Sequence, residues 1–177
     1  MRIIANLSLI ACIAFVSCTE IYFERPQPKG VKPLKEGIRE LVGEYISAED
    51  DDDKDTISVT LDKIVFNDDD LDESLGDIMV IKRYKGYYFL NFHSEEKDLW
   101  QLIVVKDVKE DLLEITNLTS IDQDNARELE EKRYSEVRTN DDDDYIVMDP
   151  PRRRLMQMIE YPIFDENKLV LNKIKSN

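Results

Sequence analysis

The reactive side chains of this 177-residue chain are few, and their spacing excludes most catalytic sets. His93 is the sole histidine, so no two-histidine metal site can form. A serine–histidine–carboxylate triad would need His93 as its base, and no nucleophile-elbow motif accompanies it. Its position at the end of an apolar run reads as a solvent-facing side chain. Five glycines are scattered along the chain without forming a phosphate-cradling loop. Carboxylates are abundant, with 39 Asp and Glu against 24 Lys and Arg. Glycoside hydrolysis needs two of them about 5–9.5 Å apart in a cleft, and abundance alone marks no such pair. The run Asp68-Asp69-Asp70-Leu71-Asp72-Glu73 offers oxygen donors of the kind a hard cation takes, about 6–8 per calcium. Asp68, Asp70 and Asp72 are its candidate ligands. An EF-hand counted from Asp68 would need glycine and glutamate where Glu73 and Met79 stand, so that motif fails. The expectation is solvated acidic loops here, at Asp50–Asp53 and at Asp141–Asp144, with no metal and no cofactor.

Two cysteines remain, Cys12 and Cys18. Behind Arg2, the stretch Ile3 to Ser17 is apolar except for Asn6, Ser8 and Ser17. It is too short to cross a bilayer as a helix, which takes about 20 residues, and it suits the apolar region of a signal peptide. The chain turns polar directly after Cys18, with Thr19, Glu20 and Glu24. Phe15-Val16-Ser17-Cys18 resembles the lipobox of bacterial lipoprotein precursors. Ser17 and Val16 match that family's small and small-or-branched positions, while Phe15 stands where leucine is usual. The resemblance implies cleavage before Cys18, diacylglycerol on its sulfur and a further acyl chain, such as palmitate, on the new amino group. One acyl chain binds a membrane reversibly, whereas two or more hold firmly. A lipidated Cys18 would leave the mature chain without a free thiol, excluding disulfide and thiol chemistry.

Pro26, Pro28 and Pro33 follow within Ile21-Tyr22-Phe23-Glu24-Arg25-Pro26-Gln27-Pro28-Lys29-Gly30 and the next few residues. They block helix and favour extended backbone, which predicts a semi-rigid tether. The expected organisation is a signal peptide over 1–17, a lipidated amino end and tether over 18–38, and one globular domain over 39–177. The Phe…Pro-Gln-Pro pattern is similar to small lipoproteins of Bacteroidota. That resemblance implies a cell-envelope location in a Gram-negative host and carries no activity with it. Thr19 replaces the aspartate that retains some enterobacterial lipoproteins in the inner membrane, which favours the outer membrane. Asp55-Thr56-Ile57 resembles the acceptor motif for O-linked glycans in Bacteroidota envelope proteins, making Thr56 a candidate glycosylation site.

The net charge is −15, and it falls to −16 once the leader takes Arg2 away. Such a surface repels nucleic acid and anionic lipid headgroups. The membrane is therefore expected as a partner only through the anchor on Cys18, and nucleic acid is excluded.

The elements that follow are mostly strands. Leu41 to Ile46 reads as a first strand. Thr56 to Phe66 reads as one strand, with Ile57, Val59 and Leu61 alternating against polar neighbours. Ile78 to Tyr84 and Tyr87 to Phe92 flank Lys85-Gly86, a hairpin signal. Leu99 to Lys106 puts Trp100, Leu102 and Val104 on one face, and Leu112 to Leu118 continues the meander. Ile121 to Val137 lacks Gly and Pro and carries Ala126, Leu129, Arg133 and Val137 near helical spacing, with Glu128 and Lys132 as an i,i+4 pair. Tyr145 to Met148 is a short strand. Asp149-Pro150-Pro151 predicts an aspartate cap opening a second helix, with Leu155, Met158 and Ile159 on its apolar face and Pro162 ending it. Lys168 to Ile174 is a last strand. About eight strands in succession and two helices in the C-terminal half predict a mainly β, α+β fold: an antiparallel meander forming an open sheet, sandwich or small barrel.

These features predict an anchored, non-enzymatic envelope lipoprotein acting as a binding or assembly module on an envelope protein partner. Two other classes remain open at this point. One is a lipocalin-like carrier of a small apolar ligand, since eight strands can just enclose one. The other is a hydrolase using carboxylates alone, which would show buried carboxyls with raised pKa in a cleft.

Overall fold

The computed structural model describes residues 18–35, 38–47, 56–60, 63–66, 69–74, 79–109, 111–131, 138–140 and 143–174. In chain order the strands are Cys18–Phe23 (β1), Gly43–Ser47 (β2), Thr56–Val59 (β3), Lys63–Phe66 (β4), Asp69–Ser74 (β5), Met79–Tyr84 (β6), Tyr87–Ser94 (β7), Leu99–Lys109 (β8), Leu112–Asn117 (β9) and Ser120–Asp122 (β10). Helix α1, Gln123–Glu131, precedes Arg138–Asn140 (β11) and Asp143–Met148 (β12), and helix α2, Arg152–Ile159, precedes Lys168–Lys173 (β13). Residues 1–17, where a signal peptide is expected, and Asp50–Asp53, Leu61, Lys132 to Val137 and Asp141 lie outside the described residues.

The fold is mainly antiparallel β, an open sheet with two helices. Its longest path runs β11-β12-β1-β8-β9-β13-β2-β3-β4-β5, and the β6–β7 hairpin joins along β8. Only the pairing of β1 with β12 is parallel among the described strands. Strand β8 organises the whole. One edge pairs with β7 from Leu99 to Lys106. The other meets β1 at Trp100 and β9 from Ile103 onward, so the sheet divides there.

The hairpin at the centre follows from its turn. Lys85 and Gly86 take φ of 51° and 82°, the paired positive values a two-residue type I′ turn requires. The strands then pair from Tyr84↔Tyr87 to Met79↔Phe92. A Cβ at position 86 would meet no neighbouring atom within 4 Å, so substitution there costs only backbone strain. Gly86→Ala is expected to lower stability by about 1–2 kcal/mol, read from its urea midpoint. An unchanged midpoint would show that the turn does not set the hairpin.

Strands β7 and β8 are buried on both faces, as an unbroken apolar run permits. Tyr87, Phe89, Leu102 and Val104 enter one core, which also holds Ile21, Phe23, Leu129, Ile146, Leu155, Met158 and Phe164. Tyr88, Leu90 and Val105 enter the other, with Tyr45, Ile57, Leu113 and Leu171. The first core lies under the two helices. The second is wrapped by β2, β3, β9 and β13, and it retains a cavity of about 20 Å³, the space of a single water at most.

The tether expected over 18–38 is a correction. β1 is a core strand: Ile21 and Phe23 are fully buried, and the strand pairs with β12 over Glu20↔Tyr145 to Phe23↔Met148. The proline-rich stretch is clamped onto the β6–β7 hairpin. Asn91, fully buried, accepts from the Gln27 amide through Oδ1 at 2.6 Å and donates through Nδ2 to the Gln27 carbonyl at 2.9 Å. Lys82 Nζ donates to the carbonyls of Pro26 and Pro28 at 2.6 and 3.1 Å, and burial pushes its pKa down. Pro33 then bridges to Lys82 at the β6 edge, where a residue without an N–H is tolerated. The folded unit therefore includes residues 18–35, and the boundary placed at 39 does not hold. Prolines that would stiffen a free linker instead lie in a bent and turning segment held against the hairpin.

Smaller departures have local causes. Thr56 to Phe66 is two strands, with Val59 opposite Ile64, because alternation continues through a reversal that no Gly or Pro marks. Asp69 to Ser74 is β5 rather than a loop, paired with β4. Helix α1 begins after β10, and Asp122 Oδ1 accepts from the amides of Asp124 and Asn125 at 3.0 and 2.9 Å, a side-chain cap. Asp149 does not cap α2, whose N-cap is Pro151. Its carboxylate instead pairs with Lys29 at 2.5 Å and Arg25 at 3.2 Å, a second tie on the proline-rich segment.

Candidate anion-binding groove

Helix α2 lies on the first core because Leu155, Met158 and Ile159 fall on one side of it and are buried. Its other side carries Arg152, Arg153, Met156, Gln157 and Glu160. The tight β6–β7 turn brings Tyr84, Lys85 and Tyr87 to face them. Between the two elements lies a groove of about 740 Å³ lined by these eight residues, within the size range of small-ligand sites.

Its electrostatics oppose those of the chain. Lys85, Arg152 and Arg153 bring three cations against one carboxylate, Glu160, in a protein of net charge −15. Among the described residues none of the three is ion-paired. The Arg152 guanidinium and the Lys85 ammonium each stand 5.6 Å from the centre of the Tyr84 ring. Lys106 Nζ stands 5.6 Å from that of Tyr87, and the Tyr87 hydroxyl donates to Glu160 Oε1 at 3.5 Å. Cation–π contacts of this kind are worth about 0.5–1 kcal/mol at exposed sites. They orient a cation without neutralising it, unlike a salt bridge. The first turn of α2 holds no acid, and arginines there oppose the preference of a helix start for negative charge. The groove is locally electropositive within an acidic chain.

The residues singled out by sequence reasoning are elsewhere and apart. Cys18 opens β1, its backbone opposite Asp122. Thr56 opens β3, exposed and opposite Ile46. Asp70 and Asp72 lie in β5, and Asp68 lies outside the described residues. His93 is half-buried rather than solvent-facing, with Nε2 3.1 Å from Asp98 Oδ1 and its ring 4.7 Å from Trp100. Among the described residues, no three His, Cys, Asp or Glu side chains gather as cation ligands. The polar side chains whose burial is described as near-complete are Thr19, Gln27, Lys82, Asn91 and Thr116. The groove itself was missed. Its available signal was Arg152-Arg153-Arg154 directly after a predicted helix start in an acidic chain.

No helix among the described residues is long and apolar enough to cross a membrane. Comparison with protein-family models, curated proteins and solved structures returns no match.

Proposed function

We propose that this chain is a lipid-anchored envelope protein whose folded part is a non-catalytic binding module, with the α2 groove as its recognition surface for a negatively charged group. The observation that carries the reading is three cations lining one groove, none ion-paired among the described residues and two of them, Lys85 and Arg152, set over the Tyr84 ring, in a chain that is otherwise strongly acidic. Nothing in the groove is arranged for bond-making: its one carboxylate, Glu160, accepts from Tyr87. The anchoring half of the proposal rests on the lipobox-like Phe15-Val16-Ser17-Cys18, with the outer membrane as the favoured site. Because Cys18 opens a paired strand, the anchor would join the fold without a spacer, holding it close against the bilayer.

Metabolic labelling with tagged palmitate tests the anchor. The native protein is expected to take up label and sediment with envelope membranes. Cys18→Ala is expected to be unlabelled and to leave that fraction. An unlabelled native protein, or a Cys18→Ala variant still held in the membrane, rejects the anchor.

A further inference from the structure

We infer that the groove binds a phosphomonoester, the phosphoryl group of a small polar molecule or of a lipid headgroup. The inference rests on reading the groove as a recognition surface, and it adds the chemical class of the ligand.

Charge comes first. Three cations and one carboxylate leave the lining with a surplus of two positive charges. A phosphomonoester carries about −1.5 to −2 at neutral pH on three acceptor oxygens, which matches that surplus. A carboxylate brings one charge and two oxygens and leaves a cation unanswered.

Geometry agrees. The cations come from opposite walls, Lys85 from the hairpin turn and Arg152 and Arg153 from α2. A tetrahedral oxyanion can meet both walls at once, with guanidinium giving paired donors and ammonium a point charge. Tyr84 already orients Lys85 and Arg152, so less side-chain freedom is lost on binding.

Size and surroundings restrict what bears the phosphate. A volume of about 740 Å³ exceeds one phosphoryl group and leaves room for a further moiety. The lining offers that moiety Gln157 and Glu160 as partners for hydroxyls and Met156 for limited apolar contact, which fits a polyol or sugar better than an acyl chain. A long polyanion is disfavoured, because beyond a Debye length of about 8 Å it would meet the field of a chain of net charge −15.

The test is calorimetric titration of the full-length chain in detergent with glycerol 3-phosphate and with succinate, beside co-sedimentation with neutral vesicles containing phosphatidic acid. Glycerol 3-phosphate is expected to bind at least tenfold more tightly than succinate. Arg152→Gln and Arg153→Gln are each expected to weaken it by about tenfold or more. Arg154→Gln, outside the groove lining, should leave it unchanged. Vesicle binding that Arg152→Gln abolishes, without binding of glycerol 3-phosphate, also supports the inference and assigns the phosphoryl group to a headgroup. Succinate binding as tightly as glycerol 3-phosphate overturns the phosphomonoester and leaves an unselective anion groove standing. No binding of either soluble anion or of the vesicles overturns the groove as a recognition surface too.

Discussion

A chain that starts at residue 39 is expected to remain unfolded, with no cooperative urea transition and a collapsed amide NMR spectrum. The reason is the position of β1. Ile21 and Phe23 are fully buried in the core beneath the helices, and β1 fills the slot between β12 and β8. Removing it strips β12 of its parallel partner and exposes Ile146 and Met148. It also leaves Asn91 facing a vacated segment. A milder probe gives the scale: Phe23→Ala should cost about 3–5 kcal/mol, a large share of the roughly 5–15 kcal/mol that holds a domain together. A tether would behave in the opposite way, since its removal would leave stability unchanged. A dispersed, cooperative spectrum from the chain starting at residue 39 would therefore restore the tether and reject the core role of β1.

The β-rich class was legible because period and punctuation agreed. Lys85-Gly86 gave the hairpin, and Leu102 and Val104 took the shared face their alternation predicts. Leu155, Met158 and Ile159 formed the buried side of α2 as spaced. What stayed hidden is tertiary in origin. Ile21-Tyr22-Phe23 is an apolar triplet beside prolines, and local chemistry cannot say whether it is a linker or a strand buried on both faces. The answer depends on Asn91 and Lys82, more than fifty residues away, which supply donors and acceptors to Pro26, Gln27 and Pro28. Asp149 looked like a cap because an acid before two prolines usually is one, yet Lys29 and Arg25 claim its carboxylate. The groove depends on the sheet bringing the hairpin turn against α2, a juxtaposition of residues 84–87 with 152–160 that no local pattern encodes. Attention to reactive residue types led instead to His93, which pairs with Asp98 away from the groove, and to acidic runs that lie partly or wholly outside the described residues.

Asn91→Leu is expected to destabilise the fold by about 2–5 kcal/mol, moving the urea midpoint down by roughly 1–3 M at the slopes typical of small proteins. The substitution nearly conserves volume, so it opens no large cavity, and its effect is polar. Asn91 is fully buried, and its amide meets four backbone groups: the Gln27 N–H and the carbonyls of Gln27, Val80 and Phe89. Leucine answers none of them. The Gln27 N–H and carbonyl then either stay buried without this partner, at about 1–3 kcal/mol each, or the proline-rich segment lifts off the hairpin. Lys82 distinguishes these outcomes through pH. Burial holds its folded pKa below the ordinary lysine value, so the folded chain carries the charge at a cost below that lowered pKa. Stability from this residue rises as pH climbs through the lowered value, and the gain is complete once the unfolded lysine also loses its proton. Lys82→Met should abolish that alkaline rise. Asn91→Leu should preserve it if the segment stays docked and flatten it if the segment lifts, because Lys82 then returns to water. An Asn91→Leu midpoint equal to the native one would mean that the clamp does not hold the amino-terminal segment in place.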